Sequence, residues 1–242
     1  MAKKIELNNA IAERRFQKVE AALKEGTREL RAYFLIVCEG AKTEPNYFKS
    51  FPKMAGNLVF DLTFDGGGIS TTKVLEKAVE IRDKSSQKFD RIWIVFDKDS
   101  FPEANFNKAI LDAEKEGIKS AWSNEAFELW YLLHFVYRNT AMSREDYKKA
   151  IETQVNAQIK LRTGKTGGFS YKKNDSGMYK TLQELGNETN AINWAEKLEK
   201  TYTGQQFAKY NPCTTVYKLV QELRGLSTSL KKEIEDKYMK GE

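Results

Sequence analysis

An α/β fold with a mainly parallel sheet flanked by helices is predicted by three observations. Two short runs of β-branched and aromatic residues, Tyr33 to Cys38 and Arg91 to Phe96, lead directly into acids and turn residues, as strands buried on both faces do. Amphipathic helical segments separate the strand segments, which suits the long crossovers of parallel pairing. Beyond Tyr137 the pattern changes to helices with no convincing strand. The expected organisation is an N-terminal helical segment (1–31), a sheet-based catalytic core (32–137) and a helical C-terminal extension (138–242).

From about Asn9 to Ala32, Ile11, Phe16, Val19, Ala22 and Leu23 recur at helical spacing among charges, the signature of an amphipathic helix packed on the core. After the first strand, Glu39 to Pro45 reads as a turn and helix start, with Thr43 as the cap and Pro45 in the first turn. A second strand, Leu58 to Phe64, alternates apolar and polar residues and is broken by Asp65-Gly66-Gly67-Gly68. Ser70 or Thr71 then caps a helix from Thr72 to Arg82, with Val74, Leu75, Ala78, Val79 and Ile81 as its apolar side. The third strand, Arg91 to Phe96, delivers Asp97 and Asp99. A helix from about Asn105 to Glu116 ends at Gly117, and Ile118 to Ser123 forms a short fourth strand.

Length and composition suit one α/β core with additions: 242 residues, of which 40% are hydrophobic, 12% aromatic and 31% charged, well away from the composition of disordered chains. The longest apolar stretch, Ala126 to Tyr137, is interrupted by Glu128 and His134 and falls short of the ~20 residues that span a bilayer. No membrane partner is expected. The sequence from Met1 to Glu6 lacks the apolar core of a signal peptide, so a cytoplasmic location is expected. Cys38 and Cys213 are too few for a disulfide framework or a zinc site, and Cys38 reads as a small core residue. The net charge of +6 suits a polyanionic partner without demanding one.

The chemistry lies at the strand ends. Glu39 precedes a glycine turn and a helix start, where backbone amides can meet an anion. Asp97 and Asp99, two residues apart, can both face one metal ion if the chain there stays roughly extended. Three carboxylates brought together repel unless a cation neutralises them, and Mg²⁺ or Mn²⁺ takes oxygen ligands of this kind. The expectation is therefore a metal-dependent site acting on phosphate, with Glu39, Asp97 and Asp99 as catalytic residues and ligands. Glu128, a charge inside the apolar run Ala126 to Leu133, is either a snorkelling or capping side chain or a further ligand. His134, the only histidine, excludes mechanisms that need a pair; it reads as a packed helical residue, with a phosphate contact as the alternative.

Arg162 to Asn174 resembles a phosphate loop but fails its pattern, because Ile159 stands where the first glycine belongs and the preceding segment is helical rather than a strand. ATP binding by this chain is not expected. A mobile basic loop is the better reading: Arg162, Lys165, Lys172 and Lys173, with Lys42 beside the acids, would contact nucleic-acid phosphates, and Tyr171 or Phe169 would stack on a base. An ordinary solvated loop is the competing reading. The amides of Asp65 to Gly68 could likewise approach a phosphate, although a tight turn alone explains the glycines.

A Glu-Gly after the first strand and an Asp-x-Asp after a later one is the Toprim pattern of topoisomerases, bacterial primases and OLD-type nucleases. Ile36 to Phe48, Val95 to Asp99, Ser123 to Trp130 with Leu133 to Phe135, and Asn211 to Val216 together resemble the RloB family, also called AbiLii-like proteins. These segments spread over roughly residues 33 to 223. One departure is Glu125, where proline is expected in much of that family. The resemblance implies a Toprim-like protein of bacterial anti-phage defence, encoded beside an ATPase partner, in which Glu39 serves as general acid or base and Asp97 and Asp99 hold Mg²⁺. A metal-dependent nuclease acting on RNA (tRNA included) or DNA follows as the leading expectation. Two other classes compete: a haloacid-dehalogenase-like phosphatase, suggested by Phe96 to Ser100 but leaving Glu39 unexplained, and a non-catalytic adaptor that binds nucleic acid or a phage protein.

Overall fold

The computed structural model describes residues 14–15, 17–21, 28–68 and 70–240. Its centre is a six-stranded sheet in the order β2-β3-β1-β4-β5-β6, formed by β1 (Leu30–Cys38), β2 (Met54–Ala55), β3 (Leu58–Gly66), β4 (Arg91–Asp97), β5 (Lys119–Asn124) and β6 (Cys213–Thr214). The four inner strands are parallel, and the two-residue β2 and β6 pair antiparallel at the edges. Among the described residues from Thr43 onward, nine α-helices are numbered in chain order: α1 (Thr43–Lys49), α2 (Thr71–Lys84), α3 (Glu103–Lys115), α4 (Glu128–Leu132), α5 (Arg144–Thr163), α6 (Met178–Leu185), α7 (Glu188–Glu199), α8 (Val216–Leu223) and α9 (Thr228–Lys240). The arrangement is consistent with a Toprim-like fold, as expected.

Side-chain alternation along β1 and β4 divides the core into two layers. Phe34, Ile36 and Cys38 face the same way as Trp93 and Val95 and pack with Tyr47 and Phe48 of α1 and with α4. Leu35 and Val37 join Ile92, Ile94 and Phe96 on the other face, covered by α2 and α3. The helix after β1 thus lies on one face and those after β3 and β4 on the opposite one. Where consecutive connections leave a parallel sheet in opposite directions, a crevice opens at the carboxyl ends of the two central strands. Here those strands are β1, ending at Cys38, and β4, ending at Asp97.

Several expectations need correction. The C-terminal region does contribute a strand, because β6 extends the sheet beyond β5 at Ser123–Asn124. Nor does that region form a core of its own: Tyr147, Ile151 and Val155 of α5, Leu182 of α6, Leu219 of α8 and Leu230 of α9 pack into the layer that holds Phe34 and Phe60. Residues 30–32, expected at the end of the first helix, begin β1. Residues 14–15 and 17–21 are helical, and the rest of the predicted helix up to residue 27 lies outside the described residues. Thr43 is the first residue of α1 rather than its cap, and Ser70 precedes α2 without a side-chain capping bond.

Candidate functional site

The crevice at the ends of β1 and β4 brings together acids from three elements. Asp97, the last residue of β4, is 9% exposed and turns to the same face as Trp93 and Val95. Glu39, one residue past β1, donates its N–H to Val95 O at 2.9 Å, and its Oε2 accepts from Asp97 N at 3.2 Å. The glycine turn after β3 locks this end of β1. Gly67 N donates to Cys38 O and Gly68 N to Glu39 O, at 2.9 and 2.8 Å. Those two amides are spent on the neighbouring strand end, which corrects the idea that the turn offers them to a phosphate.

Glu44 and Glu128 complete the acidic wall. A cavity of about 300 Å³ is lined by Glu44 of α1, Asp97, Glu128 of α4, Lys42, Thr43 and Lys173 among others. Glu44 and Glu128 are 6% and 2% exposed. Burial, then the charges of Glu128 and Glu39, push the Glu44 carboxyl up to about 7. Asp97 rises well above the usual carboxylate range, first through burial and then through the charges of Glu44 and Glu128, against the opposing pull of Arg144. Two unit charges about 5 Å apart repel by about 3 kcal/mol even at an effective dielectric of ~20, so such a wall must bind protons or cations. Glu128 is thus neither snorkelling nor a cap; it shares the cavity with Asp97 and accepts from Tyr171 Oη at 3.0 Å.

Asp99 departs from the extended chain that sequence reasoning assumed, since its φ is +37°. It nevertheless turns back toward Asp97, because one residue bridges both. Arg144, at the start of α5, donates from Nη2 to Asp97 Oδ2 at 3.2 Å and from Nη1 to Asp99 Oδ2 at 3.0 Å. Among the described residues, no three His, Cys, Asp or Glu side chains are arranged to hold a metal ion as they stand. The chemistry of the donors still fits a hard divalent cation: every candidate is an oxygen, Asp97 Oδ1 is buried without a hydrogen-bond partner, and burial with neighbouring negative charge raises the proton affinity of Glu44 and Asp97. Asp97, Glu44 and Glu128, with Glu39 and Asp99 beside them, are the residues that could hold it.

The predicted basic loop proves to be a wall of this cavity in part. Lys173 and Asn174 line it, and Thr43 Oγ1 donates to Lys173 O at 2.5 Å. Lys42, Lys165, Lys172 and Lys173 are exposed. Arg162 belongs to α5, and its guanidinium donates to the carbonyls of Glu184 and Leu185, a C-terminal cap of α6 rather than a phosphate contact. Tyr171 is buried on Glu128, and Phe169 packs against the core while both its backbone groups bond Asn156. Neither ring is presented to a base. His134 is buried, receives no solvent, and sits with Nδ1 2.9 Å from Trp130 O; burial lowers it to about 4, so it is neutral and structural. A larger groove of about 720 Å³ is lined instead by Trp93, Lys119, Trp122, Glu222 and Leu226, away from these acids.

Sequence reasoning missed Glu44 and Arg144. Glu44 gave no signal of its own in the sequence, and its packing against Gly40, where a Cβ would lie 2.1 Å from Glu44 Oε2, shows only in the fold. Arg144 gave none either, because nothing local ties the first residue of a distant helix to the strand ends.

A mainly parallel sheet with buried acids at its central crevice defines a class of α/β protein, and the arrangement is consistent with a Toprim-like architecture. Within it, a family model described as RloB-like protein matches residues 34–223, and the chain belongs to that family. No curated protein and no solved structure matches it significantly.

Proposed function

We propose that the chain is a metal-dependent phosphodiesterase acting on nucleic acid, the effector of an anti-phage defence system controlled by a partner ATPase. The observation that carries the catalytic part is the buried set Glu44, Asp97 and Glu128 around one cavity, with exposed Lys42 and Lys173 at its edge. An acidic floor under a basic rim suits a cation below and phosphate oxygens above. A divalent cation bound there would polarise the phosphodiester and make bound water more acidic. Glu39, fixed through its backbone to β4 and through Oε2 to the Asp97 amide, is positioned to hold or move a proton at that carboxylate. Lys42 and Lys173 orient phosphate without reading sequence. The defence role and the ATPase partner rest on family membership.

The test is infection of cells carrying the locus, with sequencing of tRNA and DNA ends. Wild type is expected to protect and to leave new ends, and Glu39→Gln and Asp97→Asn to lose both while accumulating as folded protein. Protection by either variant would remove the catalytic reading. One observation favours a second reading, a non-catalytic nucleic-acid or phage-protein adaptor: Arg144 already neutralises part of the acidic wall. An adaptor would protect without any new ends. The phosphatase reading is left without support, since it assigns no task to Glu39 or Glu44.

A further inference from the structure

Arg144 grips two carboxylates with one nitrogen each, Asp97 Oδ2 with Nη2 and Asp99 Oδ2 with Nη1, rather than holding one carboxylate in the parallel fork that makes arginine pairs strong. It therefore takes one oxygen from each aspartate and sets a full positive charge against both. A cation between the same two side chains would meet missing donors and like-charge repulsion together. The guanidinium and a cation placed between these two side chains compete for the same carboxylates.

The contact is also built to part. Arg144 Nε and Asp97 Oδ1 are both buried without partners, so the pairing leaves a donor and an acceptor unmatched, each at a cost. The side chains of Asp99 and Arg144 are 46% and 24% exposed, which lets water solvate them as they separate. Arg144 enters α5 from a stretch without regular structure in which residues 139–141 and 143 are exposed. Its planar, permanently charged head matches a phosphate as well as a carboxylate.

We propose that Arg144 is the resident counter-charge of the Asp97–Asp99 pair, exchanged for a divalent cation and then turned onto the phosphate of a bound nucleic acid. The exchange follows from the geometry; the transfer to phosphate rests on the nucleic-acid reading above. In this scheme cation binding and substrate binding are coupled through one side chain, because the cation releases the arginine that the substrate needs.

Calorimetric titration of Mn²⁺ into the full chain tests the exchange, with Arg144→Gln and Arg144→Lys beside wild type. Arg144→Gln is expected to bind Mn²⁺ about tenfold more tightly, or about 1.4 kcal/mol, and Arg144→Lys by an intermediate amount; the lysine variant carries the test if the glutamine variant does not fold. Binding of a labelled single-stranded RNA follows, in Ca²⁺ and in chelator. Arg144→Gln should lose about tenfold of the wild-type affinity in Ca²⁺ and little in chelator, where the arginine is held by the aspartates. Equal Mn²⁺ affinities in all three proteins would overturn the exchange alone. Absence of Mn²⁺ binding in all three would overturn the metal reading and the exchange with it. Tighter Mn²⁺ binding with unchanged RNA affinity in Ca²⁺ would overturn the transfer to phosphate.

Discussion

Glu44 carries the clearest pH signature of any single residue in the crevice. Its carboxyl is raised to about 7 in the folded chain, above its ordinary value, so the folded state holds the proton more tightly than the unfolded one. The stability it allows is therefore fully present at pH 4.5 and below, and falls as pH rises through about 7. At 1.36 kcal/mol per unit the loss is about 3 kcal/mol, and Asp97 shifts in the same direction. Urea unfolding in chelator should thus show wild type losing stability between pH 4.5 and 8, with Glu44→Gln flattening the slope; an equal slope in the variant would refute the assignment. Adding Mn²⁺ at pH 8 should raise the wild-type Tm, and raise it much less in Asp97→Asn. In the sequence Glu44 looks like an ordinary acid in the first turn of a helix, where a carboxylate is favoured anyway. Its second role is invisible there, because Glu128 and Lys173 reach it only through the fold. Glu39 and Asp97 were legible because each ends an unmistakable buried strand.

At the scale of elements, the four inner strands and their order of appearance follow from their apolar runs, whereas β2 does not and neither does β6: a two-residue strand has no periodicity to detect. The place of β6 is set by neighbours. Ser123 Oγ and Thr214 Oγ1 lie 2.9 Å apart, and Thr215 N donates to Trp122 O at 2.8 Å. The junction of β4 with α8 depends on a buried ion pair that sequence patterning could not reveal either. Glu222, 3% exposed at its side chain, accepts from Arg91 Nε at 3.0 Å and from Trp93 Nε1 at 2.9 Å. Glu222→Ala leaves Arg91 paired with Glu233 at 2.7 Å but strips Trp93 Nε1 of its acceptor, so denaturant melts should show a loss of about 1–3 kcal/mol; no loss at all would mean that water and Glu233 replace the carboxylate. Gly66 is the second structural test. Its φ is +95°, and a Cβ there would meet Cys38 O at 2.1 Å, so Gly66→Ala should cost at least about 1–3 kcal/mol and loosen the end of β1 that carries Glu39.

For the whole molecule, the helical region from Arg138 onward is part of the machine that holds the site. It supplies the layer over Phe34 and Phe60, the Tyr171 hydroxyl on Glu128, the Lys173 wall and the Arg144 bridge. A chain ending at Tyr137 is therefore expected to lack cooperative unfolding and to bind hydrophobic dyes; a cooperative melt from that fragment would show a core that stands alone. The sequence marks this region as helical because its apolar spacing is helical, but which face each helix buries is decided by the sheet it meets. The most direct test of the site is cleavage by the purified chain of end-labelled tRNA, single-stranded RNA and duplex DNA, with Mg²⁺ or Mn²⁺ and with chelator. Removing a group that supports a metal ligand costs 10–100-fold, so loss of a ligand itself should cost at least about a hundredfold. Wild type should cut one of these substrates only when the cation is present, and Asp97→Asn should fall by that factor while still unfolding cooperatively. Cutting in chelator, or equal cutting by wild type and Asp97→Asn, would contradict a carboxylate-held cation at the ends of β1 and β4.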